Sequence, residues 1–484
     1  MASFASILLV LLSLFAALAL AVRVTNATVL GLDPQTVNHL NGESYQQDAL
    51  ITYQSASHFM RFWCCWQYAT FWVVDTTNAS IRHATLARRQ LLSRASLDWE
   101  MVTFTDYNQT EDDGHDTISI GISAGDGTIH MSFDHHDNRL KYRVSEYGIA
   151  SHPAEITWNS SLFGEILDHL PGTEHLNATE VFGSVTYPRF LSTPSILSPA
   201  ADLIFELRIG RSGLGDDWLY EYTPWKGWSL IGKYLLGVNN NAYINGLDFD
   251  NEGNMATTWT YRDFVNDSGQ DVAVQTGPNG PENNHDLDFA LSPNFGRTWL
   301  NTWGQPIANI PDGIPISPNS AGITIFSIPK YGGILNQESQ VIDAQGRIHV
   351  LNRENTTGTE QWYHYWRSTR SYWTRTAFPL NLPSVNNITG TPTAIGKRGK
   401  LAAVGSTLFA ILPSNAPNST ALSILASTAE GHFRDWEVFW EVASGCGWEP
   451  LFDRYRLNHG DGVLSLFMIN GTDVVVMDLD LELS

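Results

Sequence analysis

Two histidines stand where a loop meets a strand. His115 ends the polar run Asp112-Asp113-Gly114-His115-Asp116, just ahead of Ile118, Ile120 and Ile122. His136 follows Phe133-Asp134-His135, about one hairpin further on. At that spacing both rings can reach one face of the same sheet. Imidazole titrates near neutrality, which suits general acid–base work, and it is also a common metal ligand. A pair of loop histidines is often merely solvated, so the neighbours decide. Arg208 lies in the apolar run Phe205-Glu206-Leu207-Arg208-Ile209, where a guanidinium is costly unless it is paired or faces a polar channel. Tyr187 opens Tyr187-Pro188-Arg189-Phe190, Tyr243 follows Asn239-Asn240-Asn241-Ala242, and Arg262 ends Thr258-Trp259-Thr260-Tyr261-Arg262. Arginines and tyrosines at several strand ends, in a chain of net charge −22, point to a local basic pocket for an anionic ligand.

The elements that must position these groups read as strands. Ala69-Thr70-Phe71-Trp72-Val73-Val74, Ile129-His130-Met131-Ser132-Phe133, Ile348-His349-Val350-Leu351 and Val463-Leu464-Ser465-Leu466-Phe467-Met468 are short, β-rich and bounded by turn residues. Only residues 86–99 are ambiguous between helix and strand. A turn-plus-strand unit recurs: Asp126-Gly127-Thr128-Ile129-His130-Met131, Asp343-Ala344-Gln345-Gly346-Arg347-Ile348, and more loosely Asp250-Asn251-Glu252-Gly253-Asn254-Met255. A second unit, Ser292-Pro293-Asn294-Phe295-Gly296-Arg297-Thr298-Trp299, resembles an Asp-box with Asn in place of Asp, and Arg367-Ser368-Thr369-Arg370-Ser371-Tyr372-Trp373-Thr374 is its degenerate relative. Such turns on outer hairpins predict an all-β β-propeller; seven blades would take about 66 residues each, and six or eight fit the same arithmetic. No Pro/Ser-rich linker divides the chain, so residues 22–484 read as one propeller domain.

Residues 7–22 are uncharged and apolar, short for a membrane span, and end in small-x-small sites near Ala21. They predict a secretory signal peptide over residues 1–21. Ten Asn-x-Ser/Thr triplets, headed by Asn26, Asn78, Asn108, Asn159, Asn177, Asn266, Asn355, Asn387, Asn418 and Asn470, agree with a secreted, N-glycosylated protein. The acidic balance makes nucleic acid and anionic membrane surfaces poor partners. Hydrophobic residues at 43% exclude a mainly disordered chain. Three cysteines cannot build a disulfide scaffold, but Cys64 or Cys65 bridging to Cys446 would tie the two ends of the fold together.

Taken together, the segments 114–143, 186–190 and 208–215, continued by 258–262, 285–299 and 335–375, resemble the BNR-repeat polysaccharide lyases, a group that includes ulvan lyases and fungal rhamnose–glucuronate lyases. The resemblance implies a seven-bladed propeller that cleaves a 4-O-linkage to glucuronate by β-elimination. Extra length around residues 194–201 departs from the family spacing, and Ser292-to-Trp299 lacks the Asp of the box. Carried over residue by residue, the resemblance implies His115, His136, Tyr187, Arg208, Tyr243 and Arg262 as catalytic groups. Arg189, Arg211, Gln337 and His364 are candidates for holding substrate. Removing the proton beside a carboxylate requires that charge to be neutralised, hence arginine, and a proton acceptor and donor, hence histidine and tyrosine. No cofactor is required; a structural calcium or zinc ion is an option, with His285 a candidate ligand. The fungal branch, acting on arabinogalactan such as gum arabic, fits a glycosylated secretory chain better than ulvan lyase. A sialidase-like glycosidase or a carbohydrate-binding lectin are the competing propellers. The expected partner is an acidic polysaccharide, and the expected state a monomer.

Overall fold

In the computed structural model the described residues are 22–32, 48–54, 65–92, 95–96, 98–193, 201–211, 215–237, 240–263, 283–382, 397–414, 416, 419–458 and 461–481. They form seven antiparallel sheets in chain order, the blades of a β-propeller. The inner strands are Leu50–Gln54, Ile118–Ile122, Val185–Ser192, Asn240–Phe249, Ser339–Ile342, Lys400–Val404 and Gly447–Phe452. Each blade then runs outward through successive antiparallel strands. The ambiguous stretch resolves as a strand, Arg82–Leu92, paired with Cys65–Val74 on one side and Glu100–Gln109 on the other. Ala84 and Leu86 pack on one face and Ala87 on the other, so pairing on both sides and burial of both faces prevail over helical propensity.

Among the described residues the core is divided into several clusters. Apolar side chains pack between adjacent blades, which is how radially arranged sheets bury both faces. Trp72, Leu86 and Tyr68 of blade 1 meet Ile120, Met131 and Phe133 of blade 2. Ile204 and Leu219 of blade 3 meet Trp259 and Trp299 of blade 4 in the same way. The ring is closed by the first described strand: Arg23–Leu32 pairs with Asp473–Asp480, which pairs in turn with Val463–Asn470. This pairing joins the two ends of the fold. The expected cysteine bridge does not: Cys446 is a free, buried thiol, pushed up to about 12 by burial, and Cys64 lies outside the described residues.

The repeated turns share one mechanism. The Asp126, Asp250 and Asp343 carboxylates each accept backbone N–H bonds from residues two and, in the latter two, four positions on. In the box-like turn, Asn294 Oδ1 accepts from Thr298 N at 2.7 Å and Ser292 Oγ from Gly296 N at 2.8 Å. The amide oxygen thus does the work of the missing carboxylate. Trp299 is fully buried and donates to the Gly296 carbonyl. Among the described residues no helix is long and apolar enough to cross a membrane. The seven described sequon asparagines are all exposed or half-buried; Asn266, Asn387, Asn418 and residues 1–21 lie outside the described residues.

Candidate active site

The inner strands all run in one direction, so their N-terminal ends gather at one mouth of the channel. His115 sits just ahead of Ile118–Ile122, held by a turn in which Asp116 N donates to the Asp113 carbonyl and Thr117 N to that of His115. His136 begins a three-residue strand, His136–Asn138, that adds to the inner edge of blade 3 through Thr186 and Val185. Tyr187 lies in the Val185–Ser192 strand at a bulge: the register breaks between Thr186 and Arg189, and Tyr187 has φ +57°. A left-handed backbone at a bulky residue is disfavoured and must be held by its surroundings. Ser119 Oγ donates to the adjoining Pro188 carbonyl at 2.6 Å. The extra residue turns the phenol out of the pleat toward the histidines.

The six expected catalytic residues form one connected group. The His115 and His136 rings stack at 3.9 Å between centroids and 17° between planes. His115 lies 5.6 Å from the Tyr187 ring, and Tyr187 lies edge-on to Tyr243 at 6.2 Å. The Arg208 guanidinium is 4.9 Å from the Tyr187 ring centroid, and that of Arg262 is 4.6 Å from the Tyr243 ring. Arg208 is buried and donates to Asp137 Oδ1 at 2.9 Å and Thr186 Oγ1 at 3.0 Å. Arg262 is fixed by Asn284 and Asn336, each at 2.8 Å, and Asn241 donates to the Tyr243 hydroxyl at 3.0 Å.

One carboxylate organises the pair of imidazoles. Asp113 Oδ1 lies 2.5 Å from His115 Nδ1, and its Oδ2 lies 2.5 Å from His136 Nδ1. The same Oδ1 accepts the His115 backbone N–H at 3.0 Å. An ionised carboxylate only accepts, so both Nδ1 atoms carry the hydrogen, and a ring in its neutral form keeps its lone pair on Nε2. Against the cost of partial burial, the bonds from His115 and His136 hold the Asp113 carboxyl far below the ordinary range. Burial pushes His115 down to about 4, with the charges of His136 and Arg208 adding to it and Asp113 opposing. At neutral pH His115 is therefore a neutral base. Asp113 escaped the sequence reading although it stands two residues before His115; nothing in the spacing shows that it also reaches His136, 23 residues on.

The remaining candidates divide. Gln337 is buried beside the site, with φ +59°, and accepts from Asn336, the residue that holds Arg262. Arg189 is spent on a buried ion pair with Glu206 at 2.8 Å. Arg211 is exposed beyond the end of Leu203–Ile209. His364 does not join the group. It lies on the third strand of blade 5, fully buried, bonded to His349 at 2.9 Å and walled by Phe433 and Trp436. His285 pairs with its neighbour Asp286. Among the described residues, the cluster with three groups in metal-ligating proximity is Asp113, His115 and His136. A cavity of about 770 Å³ lies at the opposite mouth of the channel, between the far ends of the inner strands and the short helix Arg454–Asn458.

A family described as BNR repeat-containing matches residues 66–379. No curated protein sequence matches the chain. Among solved structures, the polysaccharide lyase Uly1 is similar over 95% of this chain and 99% of its own, at 15% identity and a TM-score of 0.64. A PL25 ulvan lyase is similar over 93% of this chain and 95% of its own, at 13% identity and a TM-score of 0.60. The same kind of lyase bound to -[GlcA(1-4)Rha3S]- gives a TM-score of 0.57 at 13% identity. At these identities the likeness establishes the propeller fold.

Proposed function

The chain belongs to the BNR repeat-containing family, and from that premise we propose that it is a secreted polysaccharide lyase cleaving a 4-O-linkage to glucuronate. The favoured substrate is rhamnose–glucuronate in arabinogalactan side chains such as those of gum arabic. The observation that carries the reading is the stacked His115–His136 pair on one carboxylate, beside Tyr187 and backed by Arg208. Uronate elimination needs this set: a neutral base, a proton donor within reach, and fixed positive charge.

In the proposed reaction Arg208 and Arg262 supply positive potential against the substrate carboxylate as negative charge spreads from C5. His115 Nε2 accepts the C5 proton, the C4–O4 bond breaks, and C4=C5 forms. The Tyr187 phenol, polarised by the guanidinium beneath its ring, returns a proton to O4. His136 shares the Asp113 carboxylate and holds the base by stacking. Tyr187 regains its proton from His115 through solvent.

Ulvan is the second reading, favoured by the bound -[GlcA(1-4)Rha3S]- of the PL25 relative. Incubation with gum arabic and with ulvan side by side tests both. The expected result is unsaturated uronate from gum arabic, with no label at the cleaved bond when the reaction runs in heavy-oxygen water. Unsaturated product from ulvan alone selects the second reading. Labelled, saturated products mean a hydrolase, and no product from either means a binding propeller; each rejects the lyase.

A further inference from the structure

We propose that Asp113, His115 and His136 form a site for a divalent transition-metal ion, of the zinc, cobalt or copper class, and that its occupancy switches the centre off. The inference rests on the lyase reading only for the effect on turnover; the site itself stands on geometry.

Ligand atoms of the three side chains lie within 4.8 Å of one another. Two imidazole nitrogens and a carboxylate oxygen suit zinc, cobalt and copper, whereas magnesium and calcium favour oxygen-only sets. All three side chains are partly open to solvent at the channel mouth, between 26% and 32% exposed, so an ion can enter and a water can complete its coordination. The carboxylate is anchored from behind by the His115 backbone N–H. Without metal, the three groups are joined through the hydrogens on the two Nδ1 atoms. An ion bound there takes the place of both hydrogens, which pass through solvent to Nε2 of each ring. For neutral rings no proton is released. The lone pairs now face the metal, and Nε2, the atom proposed to accept the C5 proton, becomes an N–H. Inhibition therefore comes from a reversed tautomer. The Arg208 charge acting on His115 opposes the incoming cation, which keeps binding reversible by a chelator.

The test titrates cobalt(II) into the full, chelator-stripped chain and reads its visible ligand-field bands. The expected result is one saturable site with tetrahedral-type bands, weakened at least about tenfold by Asp113→Asn and by His136→Gln, and unmoved by magnesium or calcium. Nitrogen-15 resonances of the histidines should show Nδ1–H converting to Nε2–H in two rings as zinc is added, which needs no variant. Turnover should fall in step with occupancy and return with chelator. Bands that persist unchanged in both variants, or no tautomer change, overturn the site. Binding without loss of turnover overturns the switch. Cobalt binding as expected, in a chain that makes no unsaturated product even when metal-free, leaves the site standing and removes the lyase reading.

Discussion

Asp113→Asn is the substitution that separates a base-orienting carboxylate from an incidental one. In the native chain two imidazole Nδ1–H groups each meet a different carboxylate oxygen at 2.5 Å. An asparagine has one acceptor oxygen. It can serve one ring, while its NH₂ faces the other and forces that ring to hydrogenate Nε2. If that ring is His115, the base is lost outright; if it is His136, the carboxylate charge is still gone. A charge about 4 Å from a developing imidazolium is worth about 4 kcal/mol at an effective dielectric of 20. A charge-assisted hydrogen bond contributes about 1.5–3 kcal/mol. These overlap rather than add, so the expected cost is about 3–5 kcal/mol, a fall in kcat of roughly 10²–10⁴-fold. Asp113 is proposed to touch only the imidazoles, so KM should change little. The pH profile carries a second signature. His115 must be unprotonated to act, and Asp113 is the group that raises its pKa against burial, His136 and Arg208. Without the carboxylate that pKa falls further, so the acid limb of kcat should move to lower pH. Asp113→Ala, which tethers neither ring, should be worse than Asp113→Asn. Initial rates of unsaturated uronate formation across pH measure all of this. A kcat within about threefold of the native value, or an acid limb moving upward, would refute the reasoning.

Three further outcomes are expected. Tyr187→Phe should lower kcat by roughly 10²–10⁴-fold through loss of the proton donor, with thermal stability unchanged because the ring and its contact with Arg208 remain; a larger effect on KM than on kcat argues against this role. Asp116 is fully buried, both of its carboxylate oxygens lack partners, and burial with the Asp134 and Asp113 charges pushes it up to about 8. The folded chain then binds more protons than the unfolded one between about pH 4 and 8, so this group's contribution to stability falls as pH rises. Asp116→Asn should accordingly raise the melting temperature more at pH 8 than at pH 5, and an equal shift at both would contradict it. Finally, protein secreted from a fungal host should begin near Val22 and carry glycans at several of the seven accessible sequon asparagines; an intact Met1 and bare asparagines by mass spectrometry would contradict secretion.

Much of the scaffold was readable because propeller turns are local. Asp126, Asp250 and Asp343 bond to backbone N–H groups only two to four residues away, so a short motif contains its own explanation. The box-like Ser292-to-Trp299 turn was legible despite its Asn, since an amide oxygen can accept the same bonds. The site was legible in residue type but not in connection. Asp113 reaching His136, Asn336 holding Arg262 across 74 residues, and the left-handed Tyr187 at its bulge are all set by how blades pack. His364 shows the opposite case: placed among substrate-binding candidates, it is fully buried, with Nε2 bonded to His349 and Nδ1 left without a partner among the described residues. A cysteine pairing argument from chain ends found the right neighbourhood and the wrong bond, because strand pairing already joins those ends.

That pairing has a consequence for the order of events at the ribosome. Arg23–Leu32 is synthesised about 440 residues ahead of its partner Asp473–Asp480. At about 5–20 residues per second the opening strand waits on the order of half a minute or more with its edge unmet. Its apolar contacts, such as Leu30 with the Val474–Val476 side of the same blade, are equally delayed. Blades formed from contiguous chain can assemble as they emerge, but the composite blade cannot. Moving the chain ends to the Asn294 turn by circular permutation would make that blade contiguous and transfer the late step to blade 4.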